Sequence, residues 1–368
     1  MKLYGLKIGL VGPLPPPAGG MANQTRQLAE LLESEGAVVT IVQVNLPCRP
    51  RFVEGIRGLR AVARFIPYVA RLWRVAGRTD LLHVMANSGW SWHLYAAPAI
   101  CIARLRGTPS VVNYRGGEAE TFLARSSARV AKTMQRTNAL VVPSGFLKKA
   151  FEQRGIESEI VPNIIDVERF KPAAGGLLPS KCRIVVTRNL EPIYDIPLAL
   201  RAFSLVVQAI PDATLVVAGS GPELKALRSL AAELGIDGRV DFCGSLDRDR
   251  IAELYRSASL VLNPSRVDNM PNSVLEAMAS GVPVVSTNVG GVPWILRHDI
   301  NGLLVPSGDH AAMAAAAERV LTDRELASRL RTAALADIQQ YTWPRIKQQW
   351  SAVYATALPA SRAATRLT

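Results

Sequence analysis

Residues Asn263–Trp294 read NPSRVDNMPNSVLEAMASGVPVVSTNVGGVPW and follow the apolar run Leu260–Leu262. The run is a strand candidate that ends at a Pro-Ser loop. A helix is expected to begin near Asn272–Ser273, both residue types that favour helix starts. Val282–Ser286 then forms the next strand, so the stretch has the order of a parallel βαβ unit. The free N–H groups and positive end of such a helix make an anion site. Asp268 stands on the loop and Glu276 in the first helical turn. Two carboxylates there would repel an anion unless they meet hydroxyl groups, which a ribose and a sugar supply. Alternatively Asp268 caps a loop and Glu276 complements the helix dipole. These residues alone leave both readings open.

The same rhythm extends in both directions. In the second half Arg183–Thr187, Ala213–Ala218 and Val240–Phe242 are strand candidates; in the first half they are Leu6–Val11, Val38–Val44, Leu81–Met85, Val111–Tyr114 and Ala139–Val142. A helix over Asn23–Ser34 follows the Gly19-Gly20 pair. Alternating strands and helices argue for parallel sheets covered on both faces. Two such sets in 368 residues imply two doubly wound α/β domains. The Pro- and Gly-rich stretch Val161–Ser180 marks the boundary, giving domains over 1–170 and 171–342. Ligands of open α/β sheets bind outside the carboxyl ends of the strands, so two such domains would face across a cleft.

Composition narrows the function class. With 49% apolar residues the chain is no disordered segment. Cys48, Cys101, Cys182 and Cys243 are too dispersed for a disulfide scaffold or metal site; they are expected to be reduced core residues. A GxGxxG fingerprint is absent, which argues against a nicotinamide enzyme. The uncharged run Leu81–Ala103 contains Asn87, Gly89 and Pro98, so a strand, a loop and a short helix are expected rather than a membrane span. The N-terminal apolar stretch is too short for a signal peptide and is broken by Pro; a cytosolic location is expected.

The net charge is +13, and residues 1–171 hold 23 Lys+Arg against 12 Asp+Glu. Arg57, Arg60, Arg64, Arg71, Arg74 and Arg78 share one helical face. Val62, Phe65, Ile66, Val69, Leu72 and Trp73 lie opposite, and Pro67 kinks or divides the helix. Either this helix packs on the sheet with a solvated Arg face, or it is drawn to an anionic membrane surface. No nucleic-acid recognition motif accompanies the charge.

The segments LEAMASGVPVVSTNVGGVP, AGSGPELKALRSLAAELGIDGRVDFCGSL (Ala218–Leu246), VPNIIDVERFKP (Val161–Pro172) and the closing YTWPRIKQQWSAVYATAL resemble the retaining glycosyltransferases of family 4, with the GT-B fold. The resemblance implies transfer of a sugar from a nucleoside-diphosphate donor to a hydroxyl acceptor, a glycan or lipid-linked intermediate of cell-surface glycan synthesis. It implies no cofactor besides the donor and no metal. The closing helix, 343–358, would cross back onto the first domain. Glu276 would hold the ribose and Asp268 the transferred sugar. Backbone N–H groups at Met270, Asn272 and Ser273 would meet the diphosphate or sugar, and Arg188 would stabilise the departing diphosphate. Gly219 and Gly221 would let the backbone approach the nucleotide, with Val240–Phe242 near the base. Gly19 and Gly20 would form the glycine loop near the diphosphate. His83 and Arg115, at strand carboxyl ends, are candidates for sugar or acceptor contact; His83 has the alternative of a core histidine. Trp90 and Trp92 are read as core or loop packing, with acceptor stacking as the alternative.

Three positions depart from the family pattern. Asp268 stands where Glu is usual, Tyr194 stands where a Lys follows Arg188, and Arg115 stands where many relatives carry His. Arg266 and Arg115 are candidates to supply the missing charge. A nucleotide-sugar-binding protein without catalysis and a nucleotide-sugar epimerase of the same fold are the rival readings. The chain is expected in the cytoplasm, at most peripheral on the inner membrane face.

Overall fold

The computed structural model describes residues 2–16, 19–46, 57–117, 119–125, 128–173 and 182–359, with side chains of the helix opening at Arg57 described from Ala63 onward. Cys48 and the side chains of Arg57, Arg60 and Val62 lie outside the described residues. Two compact units are present: Met1–Ile164 with Trp343–Thr368, and Ile165–Thr342.

The first unit is built on a six-stranded sheet. Its strands are β1 (Lys7–Gly12), β2 (Val38–Gln43), β3 (Leu81–Ala86), β4 (Ser110–Tyr114), β5 (Ala139–Val142) and β6 (Glu159–Ile160). They lie in the order β2-β1-β3-β4-β5-β6, every pairing parallel. Every residue of β3, β4 and β5 is buried, as a parallel sheet covered on both faces requires. Helix α1 (Gly20–Ser34) starts earlier than expected, directly at the glycine pair. Helices α2 (Arg57–Ala76), α3 (Ala97–Leu105), α4 (Ala119–Arg125), α5 (Ala128–Met134) and α6 (Gly145–Glu152) follow in chain order.

The second unit has its own six parallel strands: β7 (Arg183–Val186), β8 (Thr214–Ala218), β9 (Val240–Gly244), β10 (Leu260–Asn263), β11 (Val284–Thr287) and β12 (Leu303–Val305). Their order is β12-β11-β10-β7-β8-β9. The chain reverses its winding between β7 and β10, the topological switch point where doubly wound sheets bind ligands. Helices α7 (Ile196–Ala209), α8 (Leu224–Glu233), α9 (Arg248–Arg256), α10 (Asn272–Ala279), α11 (His310–Thr322) and α12 (Arg324–Asp337) cover the faces. Both expected domains are therefore doubly wound α/β units. The short strands β6 and β12, of two and three residues, carry too little pattern to be read from sequence.

Helix α13 (Trp343–Ala357) belongs to the first unit. Ile346, Trp350, Val353 and Tyr354 are buried in one cluster with Leu10, Leu81 and Met85. At its start Trp343 Nε1 and Lys347 Nζ each lie 3.0 Å from Glu35 Oε1.

Several expected core residues are placed differently. Cys101 is exposed and Cys182 and Cys243 are half-buried, each a free thiol; a small thiol is tolerated at the surface as well as in the core. Trp92 is fully buried but Trp90 is exposed. Helix α2 packs through Tyr68, Leu72, Val75 and Ala76, whereas Ile66 and Trp73 remain 62% and 45% exposed. The apolar arc of that helix is wider than the surface that covers it.

Trp350 is fully buried and its ring centre is 4.6 Å from that of His83. Trp350→Ala is expected to destabilise the first unit by about 3–5 kcal/mol, measured by denaturant unfolding.

Candidate active site

Arg188 follows β7 and reaches across the switch point to the end of β10. Its Nε donates to Asn263 Oδ1 at 2.9 Å and its Nη2 to Ser265 Oγ at 3.1 Å. The same guanidinium pairs with Asp268, and the two side chains are only 12% and 11% exposed. The ring of Tyr194 lies beneath it, 4.7 Å from ring centre to Cζ, a cation–π distance. Burial lowers the Arg188 pKa, offset by Tyr194, Tyr255 and Glu276. The position of the family's second cation thus supplies a ring face to Arg188.

The neighbouring loops are shaped around this pair. A Cβ on Gly219 would collide with the Arg188 carbonyl oxygen, and one on Gly221 with that of Leu190. The Leu190 N–H donates to Ser220 O at 3.0 Å and the Glu223 N–H to Leu190 O at 3.1 Å. Those glycines therefore have a packing cause the sequence reading missed: they let the β8 loop close against the β7 loop. Gly290, at φ +51°, faces the Asp268 carbonyl, which a Cβ would strike, while the Gly291 N–H donates to that carbonyl at 2.9 Å.

Helix α10 begins at Asn272 behind Pro271, and no side chain caps it. Asn272 and Ser273 are therefore the first helical residues and not the cap, and Glu276 sits one turn in. The uncapped end keeps the positive pole of the helix available to an anion. The Ser273 hydroxyl is buried with no hydrogen-bond partner among the described residues. Met270, just before the helix, is buried. Tyr255 links the two sides of the switch point: its hydroxyl lies 2.5 Å from Thr187 Oγ1 and donates to Ser273 O at 3.1 Å. Asn263, Ser265, Tyr255 and Gly290 were not singled out from sequence. Of these only Asn263, a polar residue closing an apolar strand, carried a signal.

Arg266, a candidate for the missing charge, is engaged with another loop. Its Nε donates to Asp195 Oδ2 at 2.8 Å and its backbone N–H to Ile193 O at 2.9 Å. Asp195 adopts φ +44°, so Arg266 clamps a left-handed turn that a non-glycine residue adopts at a cost.

In the first unit the reversal lies between β1 and β3. Gly19, with extended backbone, precedes α1, whose end has no side-chain cap, and a Cβ on Gly19 would meet none of the described residues. Arg115 closes β4, its Nε donating to Asn113 Oδ1 at 3.1 Å and its Nη1 to Asn163 Oδ1. Both of these partners are amide oxygens, which carry no charge, and burial lowers its pKa to about 10. It remains a cation at neutral pH. His83 is fully buried, its Nδ1 lies 2.8 Å from the Tyr354 hydroxyl, and its Nε2 faces Asn113 Nδ2 at 3.2 Å. Burial, with Arg115 nearby, holds it down at about 3, so it is neutral. His83 is thus a core residue, and the expectation of a sugar or acceptor contact is corrected.

Burial raises Glu276 to about 7, against the pull of Arg248 and Arg188. A carboxyl raised above its unfolded value binds a proton on folding, so its stabilising contribution is lost as pH rises through about 7. The melting temperature of the wild type is expected to fall between about pH 5 and pH 8 more steeply than that of Glu276→Gln, as read by thermal unfolding across that range.

Two family models match the chain: Glycosyltransferase Family 4 over residues 18–169 and Glycosyl transferases group 1 over residues 169–337. Among curated relatives, the N-acetyl-alpha-D-glucosaminyl L-malate synthase of Bacillus anthracis is 31% identical, covering 96% of this chain and 97% of that one. The phosphatidyl-myo-inositol mannosyltransferase of Mycobacterium leprae is 27% identical over 95% and 97%. Among solved structures, the Anabaena HepE protein in complex with UDP-glucose superposes with a TM-score of 0.73 at 20% identity, covering 95% of this chain and 100% of that one. Its two doubly wound units are those of the GT-B fold, and the chain belongs to the family 4 glycosyltransferases.

Proposed function

We propose that this glycosyltransferase moves a sugar from a nucleoside-diphosphate donor to a hydroxyl acceptor with retention of configuration. The observation that carries the reading is the buried Arg188 at the switch point, next to Asp268 and the uncapped end of α10. The sugar's anomeric carbon loses its bond to the diphosphate oxygen and gains one to the acceptor oxygen on the same face. The departing oxygen takes the acceptor's proton. Arg188 and the α10 terminus stabilise the negative charge that develops on the diphosphate, the kind of contact worth a few kcal/mol. Asp268 orients the sugar hydroxyls, Glu276 holds the ribose, and Met270, Asn272 and Ser273 border the diphosphate. Gly19 and Gly20 form a glycine loop for the diphosphate, and no metal or further cofactor takes part. HepE, solved with UDP-glucose, supports a nucleoside-diphosphate donor.

The acceptor is a glycan or lipid-linked intermediate of cell-surface glycan synthesis, met from a peripheral position on an anionic membrane face. A relative named for phosphatidyl-myo-inositol supports the lipid-linked choice. Arg115, held by amide oxygens among the described residues, supports an acceptor that carries an anionic group near its hydroxyl. Tyr194, where the family has Lys, favours the second reading of a binding protein with weakened transfer.

Nucleoside diphosphates are expected to raise the melting temperature, because a ligand stabilises the state it binds. With donor and acceptor present, nuclear magnetic resonance should show a linkage with the donor's anomeric configuration. An inverted linkage would contradict retention. Binding without transfer supports the second reading, and conversion of the donor without acceptor identifies an epimerase.

A further inference from the structure

Three faces run round helix α2. Tyr68, Leu72, Val75 and Ala76 pack inward. Arg71, Arg74 and Arg78 stand outward. Between these two faces Ile66, Ala70 and Trp73 form an apolar strip that stays exposed among the described residues. A groove of about 760 Å³ runs along that strip, floored by Phe65, Val69 and Trp73 and rimmed by Arg74, Arg78 and Arg106.

Helix α3 completes the surface. Arg106, just after it, lies over the Trp73 ring with its Cζ 5.0 Å from the ring centre. Gly77 makes this possible, since a Cβ there would collide with the Arg106 guanidinium. Beside it Leu105 is 74% exposed, and Arg104 and Cys101 are exposed on the same helix. From residue 57 to residue 110 the chain has eight arginines and one acid, Asp80, and Asp80 accepts from the Lys7 N–H at 2.9 Å.

An uncovered apolar strip ringed by charge of one sign selects its partner. A second copy would bring the same positive charge against it. An anionic bilayer offers phosphates to the arginines, which bind phosphate in a bidentate fork, and an acyl boundary to the apolar strip. Tryptophan, with an apolar ring and a polar N–H, suits that boundary.

We propose that the α2–α3 face of the first unit is a membrane-docking surface, with Ile66 and Trp73 entering the acyl boundary of an anionic bilayer and Arg74, Arg78 and Arg106 pairing with lipid phosphates. The proposal names the contact surface for the peripheral location given above and rests on that reading.

Flotation of the full chain with phosphatidylcholine vesicles, with and without phosphatidylglycerol, tests it. Binding is expected only to the anionic vesicles, and high salt should release it. Arg74→Glu with Arg78→Glu should weaken it at least about tenfold, since each basic residue near the surface contributes about 1 kcal/mol. Ile66→Ser with Trp73→Ser should also abolish it, although both residues are exposed and the variant should keep the wild-type melting temperature. Failure of the wild type to float on anionic vesicles overturns the proposal, as does binding indifferent to Ile66 and Trp73. So does a concentration-dependent dimer that Trp73→Ser dissolves. The thermal shift by nucleoside diphosphates, measured on the same samples, separates the two readings. Its persistence without flotation sinks the docking surface alone; its absence sinks the transferase reading.

Discussion

A guanidinium enclosed beside two strand ends is tolerable only if its charge and donors are answered. At Arg188 they are answered by Asp268, Asn263, Ser265 and the ring of Tyr194. Much of the second unit's local sequence follows from this arrangement. Gly219 lacks a side chain because the Arg188 carbonyl occupies the space, and Gly290 because the Asp268 carbonyl does. Tyr255 ties the β7 end to the start of α10 through Thr187 and Ser273. Loops from distant parts of the chain converge on one ion pair, and the parallel sheet order brings them there.

The pair also sets the terms on which an anion can bind. Arg188 is already paired with Asp268, so an anion binding there would have to share it or draw it away. An Asp is shorter than the usual Glu and an aromatic ring replaces the usual Lys, so the charge available to a ligand at this point is smaller than the family pattern supplies. The first unit is organised differently. Among the described residues Arg115 is answered by amide oxygens, and the arginines on α2 and after α3 have almost no acids in their stretch of chain. The excess of positive charge read from the sequence lies mostly in residues 1–171.

Much of the fold was legible because strand runs and helical spacing repeat in both halves, and the switch-point residues Arg188, Asp268 and Glu276 fell at strand and helix ends. What escaped reading has physical causes. Periodicity shows which face of α2 is apolar, but not how much of that face the sheet and its neighbours cover; Ile66 and Trp73 were therefore assigned to the packing side. His83 sits at a strand position that a site residue or a core residue could occupy, and only the arrival of Tyr354 and Trp350 on α13 decides between them. Arg266 was two residues from Asp268 in sequence, yet its partner Asp195 comes from another loop. Gly219 and Gly221 were recognised, but not that the chain's own carbonyls at Arg188 and Leu190 press against them.

The central claim is that Arg188, and not Arg266, is the cation that meets the donor's diphosphate. Calorimetric titration of a nucleoside diphosphate into the wild type, Arg266→Ala, and Arg188→Ala combined with Asp268→Asn tests it most directly. The added Asn leaves no buried carboxylate unpaired in the Arg188 variant. Loss of a charged hydrogen-bonding partner should weaken binding about tenfold or more in the Arg188 variant, while Arg266→Ala stays close to wild type. Equal affinity for the wild type and the Arg188 variant, or an Arg266→Ala loss as large as that of Arg188, would contradict the account.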